Sequence, residues 1–127
     1  MKYGYKRKVS LLFAETVEKV KEELAKEGFG VLTDIDVKAT LKAKLGVDYG
    51  NYRILGACNP TSAYTVLQTE KDIGLLLPCN VIVYEEGGEV FVSAILPTVA
   101  MAMVENPSLA GIATMVEEKL KAVVDAV

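Results

Sequence analysis

The chain has 127 residues, 51% hydrophobic and 24% charged, with 14 Lys and Arg against 17 Asp and Glu, no histidine and two cysteines. That composition fits one folded domain over residues 1–127, and a net charge of −3 argues against nucleic acid, which demands a concentrated positive surface. Two cysteines are too few for a secreted disulfide scaffold, and Asn59-Pro60-Thr61 and Asn106-Pro107-Ser108 carry the proline that blocks glycosylation, so a cytoplasmic location is expected.

The N-terminal basic cluster of Lys2, Lys6, Arg7 and Lys8 reads as a solvated terminal strand rather than a binding arm. The apolar residues after it, 9–14, are too few for the core of a secretory signal. The longest uncharged stretches, 54–69 and 90–104, fall short of a membrane helix and contain Pro60 and Pro97, so no membrane partner is expected.

Residues 8–13 are β-prone, and Val17, Val20 and Leu24 then recur at helical spacing among Glu and Lys placed four apart. Gly28 ends that helix, and residues 30–35 predict a second strand whose Leu32, Asp34 and Asp36 share a face. Asp36 is an expected N-cap for a helix closed by Gly46, with Leu41 and Leu45 on one side. Residues 52–58 predict a third strand, and Asn59-Pro60 starts a helix reaching about Thr69: Asn caps the free amides and Pro fills the first position without losing a hydrogen bond. Residues 80–84 and 89–95 form a hairpin turned by Gly87 and Gly88, and apolar residues at helical spacing from Pro107 onward close the chain with a helix. The order β-α-β-α-β-α-β-β-α predicts an α+β fold: one mixed sheet covered by helices, with parallel neighbours across the helical connections and one antiparallel hairpin. The uncharged run 99–104, with Met101 and Met103, reads as core or as a self-association surface.

Several chemistries are excluded. Without histidine there is no imidazole base for a Ser or Cys nucleophile. Gly28-Phe29-Gly30 has Thr33 where a dinucleotide fingerprint needs its last glycine, there is no Walker A pattern, and two cysteines twenty residues apart cannot form a closed four-cysteine zinc site.

A repeated pattern remains: Cys58-Asn59-Pro60 after one strand and Leu77-Pro78-Cys79-Asn80 leading into another. With residues 28–32, 35–41, 44–46 and 52–57, these motifs resemble domain of unknown function 302, a small bacterial and archaeal domain, over nearly the whole chain. The resemblance implies an α/β sandwich that self-associates as a homodimer. It supplies no mechanism. The matching positions are Asp36, Lys44, Cys58, Asn59, Pro60, Pro78, Cys79 and Asn80, whereas Asp34 and Arg53 match no signature.

Each candidate has a structural reading beside a functional one. Cys58, ahead of a helix N-terminus, is either a reactive thiol or packing, as is Cys79. Asn59 is a cap or a ligand contact, and Asn80 satisfies a turn or points into a pocket. Asp36 is a cap, or a carboxylate for a metal or for proton transfer, and Lys44 complements a helix dipole. Three functions follow. The first is a dimeric module binding a small molecule, or zinc or another divalent metal through Asp36, Cys58 and Cys79. The second is an assembly subunit whose surface is uncharged β-structure and the Met-containing segment. The third is a thiol-dependent redox enzyme in which Cys58 attacks and Cys79 resolves, which requires neighbouring antiparallel strands to bring the sulfurs together.

Overall fold

A computed structural model describes residues 2–127. Strands β1 (Gly4–Val9), β2 (Gly30–Asp36), β3 (Tyr52–Cys58), β4 (Cys79–Glu86) and β5 (Glu89–Ile95) form one sheet in the order β1-β5-β4-β3-β2. Helices α1 (Phe13–Lys26), α2 (Val37–Leu45), α3 (Pro60–Thr69), the short α4 (Pro97–Ala100) and α5 (Ala110–Ala126) complete an α+β fold in the predicted element order.

The expectation of parallel neighbours is corrected, because every strand pair is antiparallel. Strand and helix alternation does not distinguish a helix that crosses the sheet from one that makes an excursion at one end: α1 crosses from edge strand β1 to the opposite edge strand β2, which are not neighbours, whereas the connections through α2 and α3 are excursions. The chain leaves β2 at Asp36 and re-enters β3 at the same end, where Asp36 lies opposite Arg53. It leaves β3 at Cys58, doubles back through α3 and a 3₁₀ turn over Lys71–Leu76, and enters β4 where Cys79 lies opposite Ala57.

Two further boundaries differ from the sequence reading. The first strand is Gly4–Val9 rather than residues 8–13, because Phe13 opens the helix whose inner face carries Val17, Val20 and Leu24. In β2 a bulge between Val31 and Thr33 breaks the alternation and leaves Leu32 exposed. The hairpin is as predicted, with Gly87 and Gly88 at φ of 59° and 78°, the double positive φ of a tight two-residue turn.

The core lies on one face of the sheet. Buried Val17, Val20 and Leu24 of α1 and Val116, Leu120, Val123 and Val124 of α5 pack on Leu55, Val81, Val83 and Val92. Each such side chain contributes about 1.5–3 kcal/mol by leaving water. On the opposite face Tyr52, Ile54, Ile82, Tyr84 and Phe91 are only half-buried. Among the described residues, no helix is long and apolar enough to cross a membrane.

Candidate functional site

The thiol end of the sheet gathers part of the predicted constellation. Asn59 caps α3, its Oδ1 accepting from the Ser62 N–H at 3.2 Å, and Pro60 follows at the first helical position. Because β3 and β4 are antiparallel and Ala57 opposes Cys79, Cys58 and Cys79 are brought to the same end on adjacent strands. Both are free thiols. They flank an apolar cavity of about 30 Å³, also lined by Phe29, Asn59, Ser62, Pro78, Met101 and Val116, with room for about one water molecule. Cys79 is buried, and burial first, with the Cys58 thiol beside it second, pushes its pKa up to about 11. It is held as a neutral thiol near neutral pH.

The other candidates are elsewhere. Asp36 caps α2, its Oδ1 accepting from the Ala39 N–H at 3.0 Å. Its register partner Arg53 is five residues along β3 from Cys58, about 17 Å at the rise of an extended strand. Lys44 is exposed in the last turn of α2. Asn80 neighbours Cys79 in sequence but is exposed on the opposite face of β4, across from Gly56. The structure therefore unites Cys58, Asn59 and Cys79, and separates Asp36, Lys44 and Asn80 from them.

That placement bears on the metal reading. Zinc takes three or four ligands at about 2.0–2.3 Å, and the register of β2 on β3 puts Asp36 at the far end of the sheet from both cysteines. No group of three or more His, Cys, Asp or Glu among the described residues is arranged to hold a metal ion. Asp36, Cys58 and Cys79 therefore do not converge as one ligand set.

The broadest recess lies on the half-buried face instead. A bowl of about 760 Å³ is lined by Tyr3, Lys6, Tyr49, Asn51, Tyr52, Ile82, Tyr84, Glu86 and Ser93, among others. Its lining tyrosines begin an aromatic ladder that runs on to Phe91 beside the bowl: Tyr52 and Tyr84 stack with centroids 5.6 Å apart, Tyr84 and Phe91 at 5.2 Å, and Tyr49 leans on Tyr52 at 6.4 Å. Lys6 Nζ sits 5.4 Å from the Phe91 centroid and donates to the Tyr84 hydroxyl at 3.2 Å, a cation–π arrangement. Sequence reasoning named uncharged β-structure as an assembly surface without identifying these residues, although their signal was present. β4 and β5 are apolar at successive positions, as in Val81-Ile82-Val83-Tyr84 and Val90-Phe91-Val92, where a strand with one wet face alternates.

At the sheet edge Arg53 grips Asp34 with two hydrogen bonds, at 2.7 and 2.5 Å, and Lys21 of α1 reaches the same carboxylate at 2.9 Å. The Arg53 guanidinium, more than Lys21, holds the Asp34 carboxyl down at about 2. This cluster ties α1 to β2.

The family model described as "Domain of unknown function DUF302" matches residues 5–127. The chain belongs to the DUF302 family. The uncharacterized conserved protein DUF302 from Bacillus stearothermophilus, known from a crystal structure, is 37% identical, with a TM-score of 0.92 over 98% of this chain and 97% of that one. No curated protein matches. Of the positions that the sequence resemblance singled out, Asp36, Asn59 and Pro60 have local structural roles here, setting the starts of α2 and α3.

Proposed function

We propose that this DUF302 domain is a non-catalytic association module that works as a homodimer, with the half-buried face of the sheet as its contact surface. The observation that carries this reading is the two-sided apolarity of β3, β4 and β5. Strands of that composition belong between two packed layers, and α1 and α5 supply only one. Ile54, Ile82, Tyr84 and Phe91 then form a contiguous patch of the kind that marks a protein contact, and stacked tyrosines are favoured at interfaces because each joins a large apolar body to a hydroxyl. Charged residues rim the patch, with Lys6 and Lys8 on β1 and Glu86 and Glu89 at the hairpin end. Lys8 pairs with Glu89 at 3.3 Å within the chain, and an apolar face presented identically by two copies can be self-complementary across a two-fold axis.

The thiol-enzyme reading has less support. Its resolving cysteine is protonated and buried, and the cavity beside it has little room for a substrate. Sedimentation across a concentration series tests the proposal. The wild type should pass from monomer to dimer, and Ile82→Asp should stay monomeric with an unchanged far-ultraviolet spectrum. A wild type that is strictly monomeric at every concentration removes it.

A further inference from the structure

Three sulfur-bearing side chains line one small space. The cavity of about 30 Å³ at the thiol end of the sheet takes Cys58 from the last position of β3, Cys79 from the first position of β4 and Met101 from the turn that follows α4, three segments that only the fold brings together. Neither a carboxylate nor any other charged side chain lines it, and the Asn59 carboxamide oxygen is already taken by the cap of α3. The space admits one bare ion and no hydration shell. Cys79 and Met101 also line an open recess of about 210 Å³ with the exposed residues Leu75 and Asn80, so these two side chains stand between the closed cavity and a route to solvent.

We propose that Cys58, Cys79 and Met101 form a sulfur-only site for a single Cu(I) ion. Soft thiolate and thioether ligands select Cu(I) over harder divalent ions, and Cu(I) is satisfied by fewer ligands than a closed zinc site requires. On binding, two S–H bonds break and two Cu–S bonds form, both protons leave to solvent, the Met101 sulfur donates a lone pair, and no oxidation state changes. Coordination removes a thiol proton outright, so the burial that keeps Cys79 neutral without metal does not oppose the step. The complex carries one net negative charge, and it forms beside the N-terminus of α3, a ten-residue helix whose dipole favours an anion there. None of the three residues belongs to the sheet face assigned above to the dimer contact, so the two readings stand or fall separately.

The experiment titrates the fully reduced protein with Cu(I), without oxygen, against a colorimetric Cu(I) chelator, and takes X-ray absorption spectra of the loaded sample. The wild type should take up one Cu(I) per chain with only sulfur around the metal. Cys58→Ser and Cys79→Ser should each weaken binding at least a hundredfold. Met101→Leu, which keeps the side-chain volume, should weaken it about tenfold, whereas Met103→Leu, at a thioether that is 70% exposed and outside the cavity lining, should leave it unchanged. Far-ultraviolet spectra check that each variant is folded, and if a serine at the buried position 79 unfolds the chain, Cys58→Ser and Met101→Leu decide. No uptake by the reduced wild type, nitrogen or oxygen ligands in the spectrum, or wild-type affinity in Cys58→Ser or Met101→Leu would each overturn the site.

Discussion

Tyr52 and Tyr84 stand opposite one another on β3 and β4, rings stacked at 5.6 Å and 14° between planes, on the side of the sheet away from α1 and α5. Their neighbours in sequence, Arg53 and Val83, point to the other side, where Val83 is fully buried in the core. One strand therefore serves two surfaces, and adjacent residues should respond differently to the same substitution.

Val83→Asp puts a carboxylate into the closed core and should cost more than about 3 kcal/mol, enough to unfold much of the population. Ile82→Asp, one residue away on the half-buried face, should retain a cooperative denaturant transition. Urea titrations of both variants at low protein concentration, where the monomer prevails, make the comparison. Equal destabilisation would show that the two faces are alike.

Gly56 is buried opposite Thr33 and beside Pro78, and a Cβ built there would meet Thr33 Oγ1 at 2.1 Å and Pro78 Cγ at 2.7 Å. Gly56→Ala is expected to destabilise by about 1–3 kcal/mol through overpacking. Adding Thr33→Ala should recover only part of that, since the proline contact remains. Thermal unfolding of the single and double variants reads the difference, and a neutral Gly56→Ala would contradict the close packing at the thiol end of the sheet.

The Asp34 carboxyl, ordinarily near 3.8, is held at about 2 by Arg53 and Lys21. A depressed folded-state value means that the pair stabilises the fold fully above about pH 4 and stops doing so as pH falls toward 2. The pair is partly solvated, with 27% and 26% of the two side chains exposed, so about 1 kcal/mol is the expected contribution at neutral pH. Asp34→Asn should lower stability by that amount at pH 7 and by clearly less at pH 2, where the folded-state carboxyl is about half protonated. A difference that persists unchanged at pH 2 would mean that the carboxylate charge is not its source.

Thiol reactivity separates the cysteines. With its pKa up at about 11, Cys79 is only about one part in a thousand thiolate at pH 8, and it is buried. A disulfide reagent should therefore modify no more than one thiol in the native protein and both after denaturation, with Cys79→Ala leaving the native count unchanged. Two thiols reacting natively at equal rates would revive a redox role.

Much of the fold was legible in these residues because local rules fixed it. Asp36 and Asn59 are caps, Gly46 ends its helix in a left-handed conformation, and Gly87-Gly88 makes the hairpin, each for reasons confined to a few neighbours. Strand direction was not legible, since a helix between two strands fits either a crossover or an end excursion, and only tertiary packing decides. The same ignorance kept Asp36 beside the cysteines in the sequence reading, whereas the antiparallel register of β2 on β3 sends it to the far end. Uncharged β-structure was expected as an assembly surface, but its residues were not legible, since apolar runs such as those at Val81 and Val90 do not say which face a helix layer covers.

The most direct measurement is hydroxyl-radical footprinting of the wild type over a dilution series, comparing Tyr84 on the open sheet face with Tyr64 on α3, which is 67% exposed. If a second copy covers the sheet, Tyr84 oxidation rises several-fold on dilution below the dimer midpoint while Tyr64 holds steady. A Tyr84 oxidation rate that stays constant from the most concentrated to the most dilute sample would contradict the account.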